Sequence, residues 1–187
     1  MTAVLEVLLE EHQTILRLLR ALEHQIAVFA HEGAPDYDVV VGAAEYFLDF
    51  PDRCHHPKED AVFGRLRDLH PAEAAAAGDL IVEHEALHER AQRFRETVRR
   101  LLNDTDIARD VIVAAAQDFI MAKRRHLSLE ERRFLPLAEA LLTPEDWTAI
   151  EGELTRRPDP LFRETEATFR SLSDRLLAWE AEDEAEP

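Results

Sequence analysis

The stretch His55-His56-Pro57-Lys58-Glu59-Asp60 sets two imidazoles beside two carboxylates, and its interpretation decides the fold. The residue types and the proline are typical of a solvated turn, but the spacing permits another interpretation. In a helix His55 and Glu59 are four residues apart and share a face. Apolar residues occupy that face at helical spacing: Phe47, Leu48, Val62 and Phe63. We therefore predict a polar pair that points into a hydrophobic core.

The same pattern recurs later in the chain. His126 and Glu130 are also four residues apart, and Phe134 follows Glu130 as Phe63 follows Glu59. Arg132 and Arg133 lie between Glu130 and Phe134, and Lys123, Arg124 and Arg125 precede His126; we interpret these basic residues as a solvated helix face. The repetition favours a shared structural role for the two histidine–glutamate pairs.

Single histidines occupy matching places in two further helical segments. Glu10 to Ile15 (EEHQTI) parallels Val82 to Leu87 (VEHEAL), with His12 and His84 where the apolar stripe predicts a buried residue. The spacing from His12 to His55 is 55 − 12 = 43 residues, and that from His84 to His126 is 126 − 84 = 42. The chain is therefore predicted to contain two helical hairpins related by an approximate twofold repeat.

The complete set that we predict to face inward contains five imidazoles and two carboxylates: His12, His55, Glu59, His84, His88, His126 and Glu130. Leu16 occupies the position that matches His88, so the two halves are not equivalent. Two questions stay open, since His56 with Asp60 is a rival register in the opening stretch and Glu131 is a rival to Glu130.

The helical periodicity predicts an all-α, up-down-up-down four-helix bundle over residues 1–142. Its helices are expected to end near Ala30, Leu69, Leu101 and Leu142, with kinks at Pro51 and Pro57. Residues 143–187 are predicted to be a C-terminal helical appendage with an acidic tail. Thr143-Pro144-Glu145-Asp146 is typical of a helix start, and a last helix is expected to run to about Trp179.

Composition excludes several classes of function. Lys and Arg number 22 against 39 Asp and Glu, so the net charge of −17 disfavours nucleic-acid binding. No apolar run approaches the roughly 20 residues of a membrane-spanning helix, so we expect no membrane insertion. A single cysteine and a start without a basic, signal-like region lead us to expect a cytoplasmic protein.

Seven buried polar groups need a cation. Burying imidazoles and carboxylates together costs several kcal/mol for each uncompensated charge, and a metal ion removes that cost. Imidazole and carboxylate ligands without thiolate favour iron, manganese or zinc. Seven ligands exceed what one tetrahedral zinc uses, so we expect two ions.

The order His, His-x-x-x-Glu, His-x-x-x-His and His-x-x-x-Glu on four successive helices resembles the hemerythrin family, the HHE cation-binding domain, from about Val4 to Leu142. The resemblance implies two iron ions that share an oxide or hydroxide bridge and the carboxylates of Glu59 and Glu130. It implies that His84, His88 and His126 hold one iron, and that His12 and His55 hold the other, which keeps an open position. His84 to His88 also fits the H-E-x-x-H pattern of zinc proteases, which we disfavour because no sheet is predicted to bind a peptide.

Two functions are consistent with this resemblance. The first is a binding module that takes up dioxygen or nitric oxide for storage, delivery or sensing. The second is an enzyme that uses the same centre on peroxide or nitric oxide, or that donates iron during damage repair. The sequence leaves open whether the protein is an enzyme and which protein partner it has, but the apolar residues expected around the site favour a small uncharged ligand.

Overall fold

The computed structural model describes residues 2–103 and 107–156, and none of these residues forms a strand. The regular elements are eight α-helices and two single-turn π-helices: α1 Ala3–Ala30, α2 Tyr37–Phe50, π1 Pro51–His55, α3 His56–Leu69, α4 Pro71–Ala77, α5 Leu80–Leu102, α6 Arg109–Leu129, π2 Glu130–Phe134, α7 Leu135–Leu141 and α8 Pro144–Arg156. The predicted last helix and acidic tail lie outside the described residues.

Four long helical rods form the bundle. The first rod is α1, the second is α2 with π1 and α3, the third is α5, and the fourth is α6 with π2 and α7. Helix α1 packs against α2 and α6, and α5 packs against the same two helices, which closes a ring. The second half of α1 packs with the first half of the second rod, so these neighbours are antiparallel. The prediction of an all-α bundle is confirmed.

One predicted helix is divided in two. The sequence predicts continuous helix from His70 to Leu101, but the structure breaks it between α4 and α5. Gly78 has a φ of 106°, which an L side chain rarely adopts, and it ends α4. The carboxylate of Asp79 then accepts a hydrogen bond from the backbone N–H of Val82 and caps α5.

The two π-turns lie at the histidine–glutamate pairs. π1 begins at Pro51, where we predicted a kink, and ends at His55. π2 begins at Glu130 and ends at Phe134. A π-turn holds more residues per turn than an α-helix, so it changes which side chains face the bundle axis after it.

Two separate apolar clusters fill the bundle. The first apolar cluster contains Ile15 to Ile26 of α1 with parts of α2, α5 and α6, and the second contains Val4 to Leu8 with parts of α3, π2 and α7. His12 lies between the two clusters along α1, as His55 to Glu59 and His126 to Glu130 do along their rods. The bundle therefore has a polar layer between two apolar regions.

Helix α8 packs against this bundle. Trp147 and Ile150 are buried in the second apolar cluster. Thr143 and Asp146 exchange hydrogen bonds at the start of α8, and Arg65 of α3 donates to the same carboxylate at 2.6 Å. The division of domains at residue 143 stays a prediction. None of the described helices is both long enough and apolar enough to cross a membrane.

Candidate metal centre

The polar layer is built from six of the seven predicted residues. The structure brings their side chains together with little or no exposure: His12, His55 and both glutamates at 0 %, His126 at 2 % and His84 at 7 %. All four rods of the bundle contribute. Side chains so far from solvent need partners within the layer, because water cannot screen them.

Each glutamate reaches imidazoles on both sides of the layer. Glu59 Oε1 lies 3.2 Å from His12 Nε2 and 3.1 Å from His55 Nε2, while its Oε2 lies 3.3 Å from His84 Nε2.

Glu130 spans the layer in the same way. Its Oε1 lies 3.0 Å from His126 Nε2 and its Oε2 lies 3.6 Å from His12 Nε2. Each carboxylate thus offers one oxygen to the His84 and His126 side and the other to the His12 side, which is the arrangement a bridging carboxylate requires.

The outer ring nitrogens are held by a second set of carboxylates. Each Nδ1 lies within hydrogen-bond distance of one acid: His12 to Glu131 at 3.2 Å, His55 to Glu11 at 2.9 Å, His84 to Asp60 at 3.2 Å, and His126 to Glu83 at 3.0 Å. Since a carboxylate only accepts, each Nδ1 carries a proton, and each Nε2 is turned inward, where it can donate a second proton to Glu59 or Glu130 or bind a cation through its lone pair. Carboxylates commonly orient metal-binding histidines in this way.

Several inward atoms lack a hydrogen-bond partner among the described residues. They are Nε2 of His55, His84 and His126, Oε2 of Glu59 and both oxygens of Glu130. Two groups of possible ligand atoms share Glu59, and the atoms of each group lie within 4.8 Å of one another. The first group is His56, Glu59, His84 and His126, and the second is His12, His55, Glu59 and Glu130. Orphaned imidazole nitrogens and carboxylate oxygens fit bound cations.

The electrostatics of the layer also favour positive charge. Burial alone lowers the pKa of His84, but hydrogen bonds to Asp60, Glu130 and Glu59 outweigh it and raise the pKa to about 11. Burial also lowers the pKa of His55, but the charge of Glu59 and a hydrogen bond to Glu11 outweigh it and raise the pKa to about 8. Burial raises the pKa of Glu59, yet the neighbouring imidazoles lower it well below its usual range.

His88 lies outside both groups of ligand atoms. Its side chain is 35 % exposed, its Nδ1 contacts an oxygen of Asp52, and the amide nitrogen of Gln92 lies 2.6 Å from its Nε2. His56, which the sequence left as a rival, is buried within the layer, and its ring stacks on that of His84 at a centroid distance of 3.8 Å.

Asp60 and Glu131, the two rival carboxylates, lie around the layer. Both are outside the two groups of ligand atoms, and they bind the outer nitrogens of His84 and His12. Glu85, the general base in a protease interpretation, is exposed on a surface groove of about 430 Å³ that it shares with Asp52, His84, His88 and Glu89.

Lys123 is the residue that the sequence interpretation placed wrongly. We expected a solvated helix face, but the side chain is 1 % exposed and its Nζ lies 3.3 Å from His56 Nε2. Burial lowers the pKa of Lys123, against the attraction of the carboxylates of Glu130 and Glu59. Its position four residues after Phe119 and three before His126, on one helix face, is the signal that could have revealed it.

Comparison with known protein families gives a match over most of the chain. The family model described as Hemerythrin HHE cation binding domain matches residues 3–138, which is well over half of the chain. None of the curated proteins and none of the solved structures compared matches it.

Proposed function

We propose that this chain, which belongs to the hemerythrin HHE cation-binding domain family, is a non-haem di-iron protein that binds dioxygen or nitric oxide for storage, delivery or sensing. The two carboxylates that span the polar layer are the observation that carries the proposal. Glu59 and Glu130 each turn one oxygen to either side, which suits two ions better than one. The mixture of imidazole and carboxylate ligands suits iron.

The residues divide between two ions in this proposal. His84 and His126 would hold one iron, His12 and His55 would hold the other, and Glu59 and Glu130 would each offer one oxygen to either ion. When bound, the iron pair supplies reversible redox chemistry and an exchangeable coordination position. Each histidine Nδ1 donates its proton to an outer carboxylate, which orients the ring so that Nε2 is directed inward to bind a cation.

The surroundings of the layer support a small uncharged ligand. Ile15, Phe47 and Phe119 of the first apolar cluster are buried, and the rings of Phe47 and Phe119 lie 5.2 Å apart. Apolar walls exclude water and disfavour a charged ligand. Reduced iron and a single cysteine suit the cytoplasm, where we expect the protein to act.

A buried amine favours a second candidate function. Lys123 places a hydrogen-bond donor against the layer, 3.3 Å from His56 Nε2. An oxidoreductase that acts on peroxide or nitric oxide needs a group that can donate a proton beside the iron pair. A protein that only binds a ligand reversibly does not need one.

Metal analysis and ligand addition test the proposal. We expect two iron ions per chain in protein from iron-sufficient medium, and a Glu59→Gln/Glu130→Gln variant serves as the control that cannot bridge them. Dioxygen, nitric oxide and peroxide are then added separately to the anaerobic reduced protein while its spectrum is followed. Reversible oxygenation or stable nitric oxide binding supports the binding module, and turnover of excess peroxide or nitric oxide supports the enzyme. One tightly bound zinc without iron would overturn both.

A further inference from the structure

We infer that His56, not His88, is the third imidazole of the ion held by His84 and His126, and that the open position of the other ion lies at Leu127. This inference rests on the proposed function, since it assigns ligands within the same polar layer. It replaces the His-x-x-x-His pair of α5 with two adjacent histidines at the junction of π1 and α3. The residue that replaces a histidine ligand in the other half of the repeat is then Leu127, which matches His56, and not Leu16, which matches His88.

The surroundings of His88 leave it without a lone pair to offer. The side-chain amide of Gln92 donates to its Nε2 at 2.6 Å, so the ring proton is on Nδ1, which contacts Asp52 without hydrogen-bond geometry. With a side chain 35 % exposed, it reaches the surface groove rather than the layer. To become a ligand, His88 would have to break both contacts and turn inward.

His56 has the same features as the other four histidines of the layer. Its Nδ1 lies 3.1 Å from an oxygen of Asp52, just as the other rings bind outer carboxylates. Only 5 % of the residue is exposed, and its ring is nearly parallel to that of His84. One of its nitrogens lies within 4.8 Å of ligand atoms from Glu59, His84 and His126. His56 is thus positioned to complete that group.

Lys123 competes with a cation for His56. An imidazole that is protonated at Nδ1 has one lone pair, at Nε2, and that atom lies 3.3 Å from the Lys123 ammonium. The lone pair can accept a hydrogen bond from the amine or bind a metal ion, but not both. A bound ion would therefore displace the Lys123 amine from His56 Nε2.

The internal repeat locates the open position. A shift of 71 residues relates His55 to His126 (126 − 55) and Glu59 to Glu130 (130 − 59). The same shift takes His56 to Leu127, which is 1 % exposed.

The ion held by His84 and His126 therefore gains His56 as a third imidazole, while the matching position beside the other ion is the alkyl side chain of Leu127. The set His56, His84 and His126 corresponds to Leu127, His12 and His55. The ion held by His12 and His55 has one imidazole fewer and is the one that takes up an added ligand.

Matched asparagine variants test the assignment. Asparagine keeps a donor near the Nδ1 position and removes Nε2, so His56→Asn preserves the contact to Asp52 but not the metal bond. We expect His56→Asn to weaken binding of one of two Co²⁺ ions by about tenfold or more. His88→Asn should bind both ions as the parent does. Far-UV circular dichroism verifies that each variant keeps the helical content of the parent.

Leu127→His tests the open position independently. It should keep both irons while the diferric protein no longer binds azide, whereas Leu16→His should bind azide as the parent does. Loss of one ion from His88→Asn, with normal loading of His56→Asn, would overturn the ligand assignment alone. Parent-like azide binding by Leu127→His would overturn the position of the vacancy. A parent that fails to bind two ions would overturn the proposed function, and this inference with it.

Discussion

His126→Ala is the substitution that probes the polar layer most directly. It removes the contact from Nε2 to Glu130 Oε1 at 3.0 Å and the contact from Nδ1 to Glu83 Oε2 at 3.0 Å. Glu130 is fully buried and loses its nearest partner. Glu83 is 39 % exposed, so water solvates its carboxylate when the histidine is removed. The loss of folding stability therefore comes mainly from the buried carboxylate of Glu130.

The structure sets the size of the effect. Removing one partner of a buried charged pair costs about 3–5 kcal/mol. In a chain of this length each kcal/mol lowers the melting temperature by about 2–4 °C, so the metal-free variant should melt roughly 6–20 °C below the parent. An exposed control, His24→Ala, should change stability by no more than about 0.5 kcal/mol.

Thermal unfolding with excess chelator measures this cost without the contribution of bound ions. Iron content is measured separately, and His126→Ala should lose iron while His24→Ala keeps it. If the two variants melted together and held the same iron, the division of the histidines between layer and surface would be wrong.

Three further perturbations address other parts of the layer and of α8. Asp60→Asn should keep two ions but bind Co²⁺ about 10–100-fold more weakly, because the proton on His84 Nδ1 then faces a neutral amide oxygen or amide nitrogen in place of a charged carboxylate. Calorimetric titration measures this, and unchanged affinity would contradict the role of the outer carboxylates. Lys123→Met should bind Co²⁺ more tightly than the parent, since a competing ammonium is removed; weaker binding would count against competition. Asp146→Asn should lower the melting temperature near neutral pH. The backbone N–H of Thr143, its hydroxyl and Arg65 lower the folded pKa of Asp146 to about 2, against about 3.9 when unfolded. That contribution is present above about pH 4 and is lost as pH falls to about 2. The melting curves of parent and variant should therefore converge in acid, and a gap that widens there would refute the capping role.

Helical spacing accounts for most of the site that sequence reasoning proposed. Seven residues at repeated intervals on an apolar face are predicted to meet, and the structure brings six of them together, without His88. Those intervals hold because Glu59 follows π1 within the α-helical α3 and His126 precedes π2 within α6, so each histidine–glutamate pair spans about one α-helical turn. The distribution of the ligands over two ions stays a prediction.

Two assignments needed information that spacing does not contain. Regular spacing puts His88 on the face of His84, but Asp52 draws His88 to the surface, and only tertiary contacts reveal that. Along α6, Ile112 and Ala116 are buried, whereas the neighbouring Val111 is 46 % exposed. The segment from Val111 to Ala116 is apolar on every face, so its pattern could not fix which face of α6 is buried.

The π-turn at residues 51–55 sets the phase of the second rod for the metal centre and the core together. It absorbs one residue more than an α-helical turn, so winding it as α-helix at constant chain length would rotate the residues after it by about 100°. Glu59 would then leave the layer, and Val62, Phe63 and Leu66 would leave the second apolar cluster with it. A change that converts the π-turn to α-helix would therefore disrupt metal binding and core packing at once, whereas a substitution of Glu59 alone leaves the packing of that cluster in phase.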